Sequence, residues 1–440
     1  MTFFFTFLFM ILVFWRPQEW LVPWMFGIPM LNGVFWLALL ALLVELDTKR
    51  ITYPKRLHQP YLLLGLWFMC VFSHIPHGYF QGMLDSIEEP AKICVFTFLL
   101  YVVMDSPAKL RHVARLFVLM SVVMCIHAIM QRELGYGFAG HRPMYLHRPD
   151  GSSYTRSWFF GIFEDPNEMS QMIVASIPFT FVMFKKKNLL TTVIALGLSY
   201  FLWRGMLTGE SRGALIGLAA VGFMFVVMKL PARWMTTLLP LGMLGALAAC
   251  PFAGKVLDIS AHERIIFWGL GNQAFIRSPI NILSGLGYGM FWTVTERGRA
   301  AHNAFVNCYV ELGYVGFCFW LGLIILGIIG AWRVRCALDR KSADPDERYL
   351  WRFAGSAICA LVSFCGSSYF LSRTFIYPFF FLMTLAGVLP VIASRWVENG
   401  EDLDVFTSKH DALILCTAGG FLAIAYIYVS IRLMNIGLGA

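Results

Sequence analysis

With 440 residues, 58% hydrophobic side chains, only 14% charged ones and a formal net charge of +9, this chain is far more apolar than a soluble domain, which is about 45–50% apolar and about 25% charged. Composition therefore excludes a soluble enzyme or a nucleic-acid-binding module. It predicts a polytopic membrane protein whose helices form one transmembrane domain over residues 1–440.

The expected fold class is all-α, a transmembrane helix bundle of about 12–13 spans if each needs about 20 apolar residues or somewhat fewer. Candidate spans lie near 3–15, 30–46, 60–76, 91–104, 116–130, 169–184, 189–207, 213–228, 235–253, 303–332, 352–370, 375–393 and 412–434. The first apolar run follows Met1 without a basic stretch or a small-residue cleavage site and reads as a retained helix. Trp15, Trp20, Trp24, Trp203, Trp234 and Trp351 fall at span ends, where an aromatic belt places them. The ten cysteines lie scattered, mostly in apolar runs and with no C-x-x-C pair. They read as small buried hydrophobes and give neither a disulfide framework nor a metal site.

Alternate loops are basic: Lys49–Arg56, Lys109–Arg115, Lys185–Lys187, Lys229–Arg233 and Arg333–Arg352. The positive-inside rule makes these cytoplasmic, so the loops 131–168 and 254–302 face outward and form the active-site region. The outward cations are nearly all arginine, including Arg16, Arg132, Arg142, Arg156, Arg212, Arg264 and Arg373. Topology is indifferent to Arg or Lys, so this bias points to bidentate recognition of phosphate or carboxylate, or to anchoring in lipid headgroups. No cytoplasmic nucleotide-binding glycine loop and no internal repeat is present, which argues against ATP coupling and against a repeat-built transporter.

Four constellations along the outer face carry possible chemistry. Gly161 to Glu168 ends the loop 131–168; Asp165, Pro166 and Asn167 suit a helix start, while Glu164 or Glu168 could bind sugar hydroxyls. Thr208-Gly209-Glu210-Ser211-Arg212-Gly213 puts a guanidinium and a helix N-terminus at the outer mouth of a hairpin, a seat for phosphate unless Arg212 pairs with Glu210. Asp258, His262 and Glu263 surround Arg264, to orient it or to neutralise it. The segment from Asp258 to Gly316 is the longest polar, Gly-rich and cationic one in the chain and reads as a non-helical functional connection. It contains His302-Asn303, an imidazole able to act as a base or simply a helix cap with Asn303. His141, His147 and His262 are not distinguishable from His302 by residue chemistry.

In order along the chain, G-x-F-x-D-P-N (Gly161–Asn167), S-R-G (Ser211–Gly213), D-x-S-A-x-x-R…W (Asp258–Trp268), S-P-I…G-x-G-Y-G, H-N-x-F and E-L-G-x-x-G resemble the O-antigen ligase and polymerase superfamily. These are bacterial inner-membrane glycosyltransferases of the C type (GT-C), and the likeness, strongest over roughly 155–330, is to the ligase-like branch. The resemblance implies an undecaprenyl-diphosphate-linked glycan donor, a glycan or lipid A–core acceptor, and no cofactor or metal. Carried onto this chain, it has Arg212 and Arg264 holding the diphosphate and His302 activating or positioning the acceptor hydroxyl. Arg142, Arg156, Glu164, Asn167, Glu210, Ser211, Asn303 and Glu311 are counted with the substrate-binding residues, Glu311 being a carboxylate available to an arginine. A repeat-unit polymerase of the same superfamily and a lipid-linked glycan flippase are the alternatives.

Overall fold

A computed structural model describes residues 1–25, 27–51, 58–147, 151–183, 188–230, 259–295, 298–371, 373–398, 400–403 and 409–438, with isolated positions between 234 and 244. The apolar runs are helical because in lipid each backbone N–H and C=O must find its partner within the segment. In chain order they are α1 (Thr2–Phe14), α2 (Pro17–Trp20), α3 (Met30–Asp47), α4 (Gln59–Phe72), α5 (Phe80–Val103), α6 (Pro107–Leu134), α7 (Pro166–Thr180), α8 (Leu189–Leu207) and α9 (Arg212–Val227). After the gap follow α10 (Ile259–Ile276), α11 (Pro279–Ser284), α12 (Ala304–Ala337), α13 (Pro345–Ser368), α14 (Tyr377–Gly387), α15 (Leu389–Ala393) and α16 (Lys409–Leu438).

Among the described residues, seven helical stretches are long and apolar enough to cross a membrane, so the chain is a multi-pass, all-α membrane bundle. The expected span 235–253 lies outside the described residues except for isolated positions up to 244. Others are shorter than expected: α4 has 14 residues and α7 has 15, a reach of only about 21–23 Å at 1.5 Å per residue. Helix starts follow cap chemistry. Asp165, Asn188, Ser211, Ser278, Asn303 and Asp344 each accept a backbone N–H in the first turn that follows.

The helices α12 and α13 pack on each other at the centre. α13 lies against α7 and α9, and α12 against α4, α14 and α16. One apolar core runs through them, with Phe117, Phe179, Phe353, Phe364 and Phe379 all at 1% exposure or less. Outward, α3, α8 and α16 expose Leu40, Leu43, Leu190, Val193, Phe421 and Leu422, as lipid-facing surfaces do. The two sets of loops separate to opposite ends. At one end the Met1 ammonium meets Glu45 at 2.5 Å and Arg111 pairs with Asp346. At the other, Ser73 Oγ accepts the Tyr288 N–H at 3.0 Å, His77 bonds the Gly285 carbonyl at 2.7 Å, and Thr374 Oγ1 donates to the Ala304 carbonyl at 3.0 Å.

Two outer segments differ from expectation. The connection 254–302 is largely helical in its described part, as α10 and α11. Ile265, Trp268, Asn272 and Phe275 recur at i, i+3, i+7 and i+10 and are all buried, on a helix that packs on α12 and α16. Polar residues between them hide this stripe from a hydropathy reading. The loop 131–168 holds a two-stranded hairpin, β1 (Met144–His147) antiparallel to β2 (Ser153–Arg156), with Met144 opposite Arg156. Its turn contains Gly151 at φ +84°, the left-handed geometry that Asp-Gly pairs favour.

The helix α12 is broken near its start. Gly313 sits at φ 69°, ψ −174°, and the carbonyls of Val310 and Glu311 accept the N–H groups of Leu286 (2.9 Å) and Gly287 (3.0 Å). A Cβ at Gly313 would lie 2.4 Å from the Leu283 carbonyl, and one at Gly285 would lie 2.2 Å from the Glu311 oxygen. The two glycines let the 283–287 backbone dock directly onto the opened helix.

A candidate active site at one end of the bundle

His302 occupies the turn that leads into α12. Asn303 caps that helix, its Oδ1 accepting the N–H of Phe305 (3.0 Å) and of Val306 (3.1 Å). To turn into this cap the chain holds His302 at φ +50°, the left-handed region that non-glycine residues enter at a cost. Flanking carbonyls anchor the turn. The Trp268 indole, from α10, donates to Ala301 O at 2.6 Å, and Thr374 donates to Ala304 O.

The half-buried imidazole has its proton affinity lowered below the ordinary value of 6.5, first by burial, then by the guanidinium of Arg264 and more weakly by Arg299; Asp165 opposes them. The lowered proton affinity favours the neutral imidazole over the imidazolium near pH 7. The structure brings together two residues, Arg264 and His302, that the sequence places 38 positions apart, and adds Asp165, the cap residue ahead of α7.

Asp165 has two roles. Its Oδ1 caps α7, accepting from the N–H of Asn167 (2.6 Å) and of Glu168 (3.3 Å), and its charge also faces His302. Arg156 then ties this segment to the α8–α9 turn, donating to Asn167 Oδ1 at 2.7 Å and to Gly209 O at 2.8 Å. Burial lowers the Arg156 proton affinity, while Asp165, Tyr154 and Glu210 oppose that shift. A Cβ at Gly209 would sit 2.1 Å from Ser170 Oγ and 2.9 Å from the Pro166 carbonyl, so the turn lies flat on the start of α7 only as glycine. Glu210, at φ +46°, accepts from Arg132 at 3.2 Å. Ser211 caps α9, accepting from the Ala214 N–H at 3.2 Å, and leaves exposed Arg212 as the first helical residue.

Aromatic packing connects the two arginine positions. Gly213 borders Phe370, whose Cβ would be 3.6 Å from a Cβ placed there. The Phe370 ring lies 6.4 Å from Trp268, which also meets Tyr369 edge-on at 5.5 Å. The start of α9 with Arg212, and the Arg264–His302 pair, thus flank one aromatic wedge at the same end of the bundle.

Other expected site residues sit elsewhere. Arg142 and Glu164 belong to a neighbouring cluster. The carbonyl of exposed Arg142 accepts from the Trp158 indole at 2.9 Å. Beside it, His141 lies between Trp158 (4.4 Å) and Phe160 (4.5 Å), depressed by burial and opposed by the Glu164 charge. Glu311 is 5% exposed, and its carboxylate accepts from the Phe291 N–H (3.0 Å) and Asn307 Nδ2 (2.9 Å). It holds the 285–291 turn on the helix break. Glu263 accepts from Arg299 at 3.1 Å, while Asp258 lies outside the described residues.

Sequence reasoning also missed one pair. Arg373 Nε meets the buried Glu168 at 2.7 Å and lends a second N–H to Ile162 O at 3.4 Å. The partners are over 200 positions apart, and nothing local signals the pairing. The resulting surface offers a neutral base, a guanidinium beside it and a second guanidinium on a helix N-terminus, a set suited to an anionic leaving group and a nearby hydroxyl. Among the described residues, no group of three or more His, Cys, Asp or Glu side chains is placed to hold a metal ion. No protein-family model matches this chain, and no curated protein matches it.

Proposed function

We propose that this protein transfers a glycan from undecaprenyl diphosphate to an acceptor hydroxyl on the periplasmic face of the bacterial inner membrane, as an O-antigen ligase-like enzyme of the C type. The observation that carries the reading is His302, held at φ +50° in the turn before α12 within the fields of Arg264 and Asp165, at the end of the bundle where Arg212 opens α9.

His302 takes the proton of the acceptor hydroxyl as its oxygen attacks the anomeric carbon. The bond from that carbon to the diphosphate breaks, and the diphosphate leaves with negative charge spread over its oxygens. Arg264 and Arg212 stabilise that charge at a lipid-water boundary, where the low dielectric strengthens each contact. Arg264, with Arg299 more weakly, disfavours the imidazolium before the donor binds. Donor binding cancels part of their field, so the base gains proton affinity as the substrate arrives. Asp165 then favours the imidazolium formed. The polyprenyl tail lies along the apolar outer surface of the helices.

A flippase would need a polar route between the two ends of the bundle, where Phe117, Phe179, Phe353, Phe364 and Phe379 instead pack fully buried. The test is to express R212A and H302A at normal protein level in cells lacking the native protein. Surface glycan should be lost in both. Full-length surface glycan with either variant refutes the assignment. A purified protein given a defined undecaprenyl-linked repeat separates ligase from polymerase, since extension without a core acceptor means polymerase.

A further inference from the structure

The opposite end of the bundle carries a cavity of about 1120 Å³ that the transfer reaction does not use. Among its described lining residues six are cationic, Arg111, Arg115, Arg340, Lys341, Arg348 and Arg352, against one carboxylate, Asp346. That carboxylate already pairs with Arg111. The cations come as self-repelling pairs, Arg111 and Arg115 one turn apart on α6, Arg348 and Arg352 one turn apart on α13. Such like-charged neighbours destabilise a helix unless an anion lies between them.

The cluster is built rather than incidental. Asp344 caps α13, and the 339–343 loop is folded back over the start of that helix. The Asp339 N–H donates to Glu347 at 2.9 Å, and Arg348 donates to the Ala343 carbonyl at 2.9 Å. This fold carries Arg340 and Lys341 to the cavity rim. Within the cavity the Arg111 guanidinium lies 4.5 Å over the Tyr349 ring, whose buried hydroxyl has no hydrogen-bond partner among the described residues.

The remaining wall is mostly apolar, from Phe179 on α7, Val182 and Met183 just after it, and Ile194 on α8, with Thr191 beside it. Ile194 is 46% exposed and continues into exposed Leu190 and Val193, the lipid-facing side of α8. A soluble anion has no use for such a wall, whereas a phosphate headgroup with an acyl chain uses both halves. We infer that this cavity is a binding site for the phosphate headgroup of an anionic phospholipid drawn from the leaflet opposite the candidate active site. The inference stands independently of the proposed glycan transfer.

The experiment uses the full chain in nanodiscs of equal phosphatidylglycerol and phosphatidylcholine, with retained lipid counted by native mass spectrometry. The wild type should keep phosphatidylglycerol in preference to phosphatidylcholine. The loop variant R340Q/K341Q, which touches no core position, should lower that affinity about thirtyfold, at about fivefold per cation near the membrane surface. A second variant, R115Q, should lower it about fivefold, and gel filtration with circular dichroism should show both folded. Equal retention of the two lipids, or unchanged retention in both variants, overturns the site. Displacement of the lipid by millimolar inorganic diphosphate in bulk solution would keep a phosphate site but overturn its lipid occupant.

Discussion

Replacing His302 by glycine and, separately, by alanine separates the backbone of this residue from its imidazole. Both variants lose the ring and whatever it contacts, so those losses cancel between them. What remains is the left-handed conformation at φ +50°. Alanine pays about 1–2 kcal/mol there relative to glycine, and glycine gives back about 0.4–1 kcal/mol through the greater freedom of its unfolded chain. The expected difference is about 1 kcal/mol in favour of H302G, roughly a fivefold change in the folding equilibrium. Unfolding by dodecyl sulfate titration in mixed micelles, followed by tryptophan fluorescence, measures it. Hydrogen exchange over Asn303–Val306 should place the difference in that turn. Glycan transfer should be absent in both. An alanine variant as stable as the glycine variant would refute the strain, and with it the idea that a histidine is kept in this turn at the expense of stability.

Arg264→Gln removes the stronger of the two cations that depress His302, so its proton affinity should rise. Modification by diethyl pyrocarbonate, which takes the neutral ring and is mapped to His302 by peptide mass spectrometry, should then have its midpoint at higher pH than in the wild type; an unchanged or lower midpoint contradicts the pairing. Gly313→Ala adds a Cβ 2.4 Å from the Leu283 carbonyl, and relieving that clash breaks the bonds from Leu286 and Gly287. The expected loss is about 3–5 kcal/mol, read as a collapse of the folded fraction in detergent, and near-normal yield would exclude the docked backbone. Arg373→Met leaves Glu168 buried at 6% exposure without its ion-pair partner. Since Arg373 itself is half exposed, the cost should be about 2 kcal/mol, and the double variant E168Q/R373M should recover most of it; a double variant no better than the single one argues against the pair.

The membrane bundle was legible because apolar runs in lipid have few structural options. The cap residues Asp165 and Asn303 were legible because a short polar side chain ahead of an apolar run has one common use, whereas Ser211, counted with the substrate-binding residues, proved to cap α9. The α10 helix was not, since Ile265, Trp268 and Phe275 are spaced among His262, Glu263, Arg264 and Asn272 and never form a continuous apolar window. The hairpin 144–156 was hidden by its short strands. Within the site, sequence order could nominate Arg264 and His302 but could not say that Asp165 faces them. Residue chemistry alone left His302 level with His141, and only the resemblance separated them; the packing of His141 between Trp158 and Phe160 is a property of the folded loop. Glu311 looked like a functional carboxylate in an apolar span; its partners, a backbone N–H and an asparagine, appear only once the helix is seen to break beside it.

The interruption at Gly313 means that the short segment Ala304–Leu312 does not inherit its tilt from the long rod beneath it. Its placement is dictated by what it leans on: the indole of α10 at Ala301, the threonine after α13 at Ala304, and the glycine-rich strand laid across its lower carbonyls. Three separate stretches therefore converge to aim one imidazole. Small shifts in these supports re-aim it while the buried helices stay where they are.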